Sequence, residues 1–238
     1  MLNSEDQRKI KQLATEFWND EVGSVAFRSI FGGKEKGHRI ADYVDEKTTE
    51  LLSREMDTGY LRDKNGKPAD RSMGDVWIKS NGVFHPLNVK AGEYSDQGGN
   101  PNLVALNKVL TALLERKIDS YYLLIIKMQV TDKEGLESVI PRVYLVDMLD
   151  HLDVVNFDSG PGQLMLKEKQ FYLKMSSEDK TDALSLAQKI EKLIELKEKG
   201  DETLIANRLT RSRKLKELKR EYEESSQQNL DQRDMNIG

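Results

Sequence analysis

GDVWIKSNGVFHPLNVKAG, residues 74–92, carries two alternating or apolar runs on either side of Ser80-Asn81-Gly82. An Asn-Gly pair between such runs is a strong short-range hairpin signal, so residues 74–79 and 82–90 are predicted as paired strands. Asp75 opens the first run, and Lys90 stands near the end of the second. Side chains on a strand alternate with period two, which puts positions 88 and 90 on one face and turns Val89 to the other. Position 88, where a second carboxylate would complete an acidic pair, holds asparagine.

Outward from the hairpin, composition sets limits. The chain has 238 residues, 37% of them hydrophobic and 33% charged, enough for one good core and a single domain with appendages. No apolar run reaches the roughly 18 residues that a membrane span needs. The opening segment, MLNSEDQRKIKQLATEF, is charged and lacks the apolar centre of a signal peptide, so a cytoplasmic location is expected. There is no cysteine, which excludes disulfides, thiolate catalysis and Cys-built zinc sites. The three histidines, His38, His85 and His151, are widely spaced. Oxygen ligands remain, and these suit magnesium, calcium or manganese. The net charge of −4 gives no global sign of nucleic-acid binding.

Along the chain, residues 4–30 read as helix, GGKEKG breaks the pattern, and residues 37–56 read as a second helix. Residues 57–73 are rich in Gly, Asp, Asn, Lys and Pro and read as a loop. After the hairpin comes a polar loop, GEYSDQGGNPN (92–102), then a helix over 103–117 with apolar residues at 103, 106, 110, 113 and 114. SYYLLIIKMQV (120–130) has the apolar density of a central strand covered on both faces. IPRVYLVDML (140–149) is a further strand, with Asp147 starting a short helix. Residues 160–175 hold one or two strands, and 177–198 form a helix. The expected class is α/β (α+β), a mixed sheet flanked by helices. It divides into an N-terminal helical segment (1–34), a core (35–198) and a charged helical extension (199–238).

Metal-dependent hydrolysis of a phosphodiester needs a hard cation to neutralise developing charge, a positioned water and rigid ligands. Carboxylates on adjacent strands supply the ligands, and a lysine two residues after the second one can hold and acidify the water. The carbonyl of Val89 is free to serve as another ligand. The bland alternative for Asp75 and Lys90 is a cross-strand surface pair, typically contributing under about 1 kcal/mol.

The pattern Asp75, twelve residues, Asn88-Val89-Lys90 resembles the PD-(D/E)xK nucleases, and among them the type II restriction endonucleases. The following Asn-bearing loop and helix, NPNLVALNKVL, resemble theirs too. The resemblance covers roughly residues 35–195. It implies a restriction-endonuclease-like core and hydrolysis of double-stranded DNA with Mg2+, for which Mn2+ or Ca2+ can substitute. It also implies metal ligands at Asp75, Asn88 and Val89, and catalytic roles for Asp75, Asn88 and Lys90. A glutamate on the preceding helix reaches toward the metal in several members, which points to Glu46 first and Glu50 second, four apart on one helix face; solvated carboxylates are the bland alternative. Asn88 departs from the pattern, since members carry Asp or Glu there. An aspartate-to-asparagine change that allows binding without cutting, a native asparagine compensated elsewhere, and a decayed site all account for it. The first is the smallest step, because the two side chains are isosteric.

The matching loop of such enzymes enters DNA. Gln97, Asn100 and Asn102 carry amides able to pair with an adenine edge. Gly98 and Gly99 let backbone approach a partner, and Tyr94 could stack or touch a phosphate. A polar turn with Asn102 as helix N-cap is the alternative. The segment 62–67 (RDKNGK) and Lys79 would suit contacts to the DNA backbone. A short palindromic site implies a homodimer, with the apolar residues Phe17, Trp18, Phe27 and Phe31 as its interface. A repair or recombination nuclease of the same fold, a non-catalytic DNA-binding protein and a helical scaffold are the competing classes. Between Arg208 and Arg220 seven basic residues face one acid, which reads either as a solvated helix face or as a phosphate-contacting one.

Overall fold

The computed structural model describes residues 1–24, 27, 36–59, 73–133, 136–177 and 184–235. The loop expected over 57–73 falls mostly outside them, taking the basic segment 62–67 with it. So do Phe31, residues 25–26 and 28–30 of the helix expected over 4–30, and residues 178–183; within the described residues that helix ends at Glu21.

The Asn-Gly signal produces a two-residue turn. Asn81 and Gly82 have φ of 51° and 80°, the double positive φ of a hairpin turn whose twist matches its strands. It joins β1 (Val76–Ser80) to β2 (Val83–Glu93), with Ser80 opposite Val83 and Val76 opposite Leu87. β2 also runs parallel to β4 (Tyr122–Lys133), from Leu87 opposite Tyr122 to Glu93 opposite Met128. β5 (Leu136–Asp147) pairs antiparallel with β4 along its whole length. The main sheet is therefore mixed, in the order β1-β2-β4-β5. A parallel pair needs a long crossover, and residues 94–121 provide it. They include β3 (Asn102–Ala105), which joins β7 (Gln163–Leu166) and β6 (Val155–Asp158) in a second, antiparallel sheet.

Both faces of the main sheet are covered. Alternate residues of β4 point opposite ways, Leu124, Ile126 and Met128 to one apolar cluster and Leu123 and Ile125 to the other. This is the central strand its unbroken apolar run anticipates. On one face lie α1 (Ser4–Glu21) and α2 (Lys36–Glu55). They bury Ile10, Ala14, Trp18, Ile40, Val44 and Leu52 against Val76, Ile78, Leu87 and Val89. On the other lie α3 (Leu106–Leu114), α4 (Glu168–Ser176), the second sheet and the first turns of α5 (Leu186–Met235). The protein is a mixed α+β structure with a mixed sheet flanked by helices.

Several expectations change. The segment 103–117 is not helical from its start. Asn102–Ala105 forms β3 and the helix begins at Leu106, whose N-cap Ala105 supplies no side-chain bond. Asn102 therefore opens a strand instead of capping a helix, because the second sheet offers it a partner that local sequence does not reveal. Residues 160–175 give one strand and then a helix, α4. The expected helix over 177–198 starts at Leu186 and continues without a break through position 198 to Met235. Asp147 does begin a short 3₁₀ turn, Met148–Asp150, and its carboxylate accepts from Leu149 N at 3.1 Å. Trp18 and Phe27 are fully buried inside the subunit, Trp18 donating to Thr48 Oγ1 at 3.0 Å, and Phe17 packs partly buried on the same cluster. Trp18 and Phe27 therefore serve the core of the subunit and leave no surface for the interface expected of them. Among the described residues no helix is long and apolar enough to cross a membrane.

Candidate functional site

β1 and β2 part company at Asp75. Their ladder ends at the pair Val76–Leu87, while β2 runs on beside β4 alone. The backbone of β2 beyond Leu87 would have an unpaired edge there, and the Asp75 carboxylate partly fills it, accepting the Val89 N–H at 2.7 Å. In an extended strand a residue's N–H and C=O point to the same side. The Val89 carbonyl thus faces the same opening while its side chain is buried in the helical layer.

Asn88 and Lys90 lie on the opposite face of β2 from Val89. Asn88 is only 6% exposed, and its amide nitrogen donates to the Tyr121 hydroxyl at 3.1 Å and to the Leu103 carbonyl at 3.3 Å. Its Oδ1 is buried with no hydrogen-bond partner. Burial pushes the Tyr121 phenol far above its usual range, and the charge of Asp75 adds to this. Lys90 is half-buried.

The helix facing this fork contributes a residue the sequence reading missed. Asp45 on α2 is partly buried, and its carboxyl is raised to about 7, first by burial and then by the charge of Asp75, with Lys90 acting in the opposite direction. Asp45 Oδ1 is buried without a partner. Glu46 and Glu50 are exposed instead, Glu50 pairing with Lys47 at 2.9 Å. The correction follows from helical phase. Ile40, Val44, Thr48 and Leu52 mark the inward stripe of α2, and Asp45 borders it, three residues before Thr48. The row 46–50–54 looks outward. The positions of those apolar residues carried the signal.

Asp45 lies near enough to Asp75 and Lys90 for both charges to act on it, and Asp75 is hydrogen-bonded to β2 between Asn88 and Lys90. A cleft of about 400 Å³ beside them is lined by Ser53, Thr58, Gly59, Asp75, Val76 and Trp77. Among the described residues no three His, Cys, Asp or Glu side chains are grouped to hold a metal ion; the fork offers two carboxylates. It also offers two buried oxygens lacking partners, on Asp45 and Asn88, and a free-edge carbonyl at Val89. Those are hard donors, the kind magnesium and calcium take, so the chemistry of the site fits such a cation.

The loop after β2 turns its backbone inward. Gly99 N donates to Glu168 Oε2 at 2.9 Å, and Glu168 N donates to Gly99 O at 3.1 Å. A Cβ on Gly98, whose φ is +63°, would stand 2.5 Å from Lys169 N. The close approach these glycines permit is thus to α4 of the same chain. Tyr94 is likewise engaged internally, against Tyr172 with ring centroids 5.1 Å apart and under the Arg142 guanidinium at 4.2 Å. Gln97, Asn100 and Asn102 remain exposed along the rim. Glu168 also pairs with Lys127 at 2.6 Å, both side chains being buried. Lys127 sits opposite Gly92, so this pair ties the loop to the strands that carry Asn88 and Lys90.

No protein-family profile matches the chain, and no curated protein is significantly similar to it.

Proposed function

We propose that the chain is a magnesium-dependent endonuclease of the type II restriction kind, with a restriction-endonuclease-like core, cutting double-stranded DNA at a short palindromic site as a homodimer. The observation that supports this best is the proximity of Asp45, Asp75 and Lys90 where β1 and β2 diverge, beside Asn88 on β2. Asp75, Asn88 Oδ1 and the Val89 carbonyl would hold the cation, which when bound supplies positive charge beside the scissile phosphate. Lys90 lies two residues beyond Asn88 and positions the attacking water. The water oxygen bonds to phosphorus as the bond to the leaving sugar oxygen breaks. Asp45, with a carboxyl raised to about 7, takes the water proton, because a base acts best with a pKa near the working pH. The rim amides of Gln97, Asn100 and Asn102 face outward for base edges.

Both N–H groups of the Asn88 amide are used, and this supports asparagine as the residue that the pocket accommodates. An aspartate at 88 would set a carboxylate oxygen against the Leu103 carbonyl. Plasmid cleavage in Mg2+ by this chain and by Asn88→Asp, each with and without Asp45→Asn, tests the reading. Discrete fragments from either chain, lost on Asp45→Asn, are expected. Cutting by Asn88→Asp alone identifies a site silenced at one ligand. Retained sequence-specific binding without cutting by any version leaves a DNA-binding protein, and an intact plasmid without binding ends the proposal. Melting temperatures with and without Mg2+ give a second readout. The cation should raise that of Asn88→Asp most, since it neutralises a buried carboxylate.

A further inference from the structure

α5 extends far beyond the body it packs on. Its first turns are held by Lys189, whose ammonium lies 2.5 Å from Asp150 and 3.6 Å from Asp147, and by buried Leu193. From Ile205 to Glu224 every side chain is exposed. The helix from Ile205 to Met235 is about 45 Å long at about 1.5 Å per residue.

Charge on this arm is segregated. The whole chain carries −4, yet between Arg208 and Arg220 seven basic residues face one acid. Among the described residues only Lys219 of the seven has an ion-pair partner, Glu223 at 3.3 Å. Arg208–Arg211, Arg211–Lys214 and Arg213–Lys216 are like charges three residues apart, and Lys216–Arg220 are four apart. Such pairs repel on a helix surface. Helical periodicity sets Arg208, Arg211 and Lys219 on one side, with Lys214 and Lys216 flanking them. Arg213 and Arg220 fall on the other side, beside Glu217, Glu221 and Glu224. Ile205 and Leu209 do not line up with Leu215 and Leu218, so the arm lacks the continuous apolar face that lying in a lipid surface requires. The basic residues from Arg208 to Arg220 are thus spread around the helix, and a helix with cations on both sides fits between the two phosphate rows of a duplex groove, which admits one helix.

The geometry points to the exposed part of α5, Arg208 to Arg220, as a sequence-independent duplex-DNA-binding arm. It would contact phosphates at a distance from the fork and hold the body on DNA through counterion release. The inference rests on the proposed function only in naming DNA as the polyanion.

The test is fluorescence anisotropy of a short labelled duplex of arbitrary sequence, titrated at several salt concentrations. It compares the full chain with a version carrying Arg208→Gln, Arg211→Gln, Lys214→Gln and Lys216→Gln, since glutamine keeps helix propensity. Loss of the four charges should reduce the slope of log K against log salt by about 3 to 4, with circular dichroism and melting temperature unchanged. An unchanged affinity and slope overturns the inference, as does absence of binding by the full chain. Polyglutamate competing as well as DNA at equal charge also overturns it. The nuclease reading is judged separately by cleavage. Loss of binding in the glutamine version without any cutting by the Asn88→Asp chain keeps the arm and removes the nuclease. Cutting with no change in binding does the reverse.

Discussion

Asp45 keeps its proton to about pH 7 in the folded chain against an ordinary carboxyl value of 3.8. Burial is the main cause, with Asp75 second. Between those two values the folded state binds a proton that the unfolded state does not, so stability falls as pH rises through the interval. The penalty is absent below about 4 and complete above about 7. Asp45→Asn removes it. The variant should be more stable than the parent at pH 8, by up to about 4 kcal/mol, and nearly equal to it near pH 4. Thermal melts at the two pH values measure this. A lower melting temperature for the variant at pH 8 would mean that the carboxylate is satisfied in place.

At the scale of elements, the loop from Gly92 to Pro101 and α4 act as one unit. Gly98 holds a positive φ and lies against the first turn of α4, while Glu168 receives the Gly99 N–H and pairs with buried Lys127. Removing one partner of a buried ion pair leaves an uncompensated charge, which typically costs about 3 to 5 kcal/mol. Glu168→Gln keeps the shape and an acceptor for Gly99 but leaves Lys127 without its counter-charge. Urea denaturation should show a loss in that range, and the rim residues Gln97 and Asn100 should become more accessible to protease. A loss under about 1 kcal/mol would mean that Lys127 reaches solvent on its own.

The whole molecule divides unequally between body and arm. The two apolar clusters on either face of the main sheet hold the body together, whereas residues 205–224 bury nothing. Ending the chain after Leu209 should therefore leave the body's melting temperature unchanged to within about 2 °C, because surface changes away from packed features are usually worth under about 0.5 kcal/mol. Calorimetry on the shortened chain checks this, and a large drop would reveal that the arm packs on the body or on a second copy.

Local pattern alone was enough for the Asn81-Gly82 hairpin, the doubly covered strand β4, the two N-terminal helices and the co-facing pair Asn88 and Lys90. Each depends on periodicity or turn chemistry within a few residues, which the chain carries in its own order. Tertiary structure alone decided the rest. Residues 102–105 became a strand because β7, some sixty residues away, offers an edge. Trp18 and Phe27 went inward because the main sheet supplies a surface for them. Gly98 and Gly99 approach α4, which a glycine pair cannot announce. Asp45 replaced Glu46 at the fork because the rotation of α2 about its axis is set by packing Val44 and Leu52 on the sheet. Contacts between distant segments select among locally permitted arrangements, and the fourth member of the site was one of those selections.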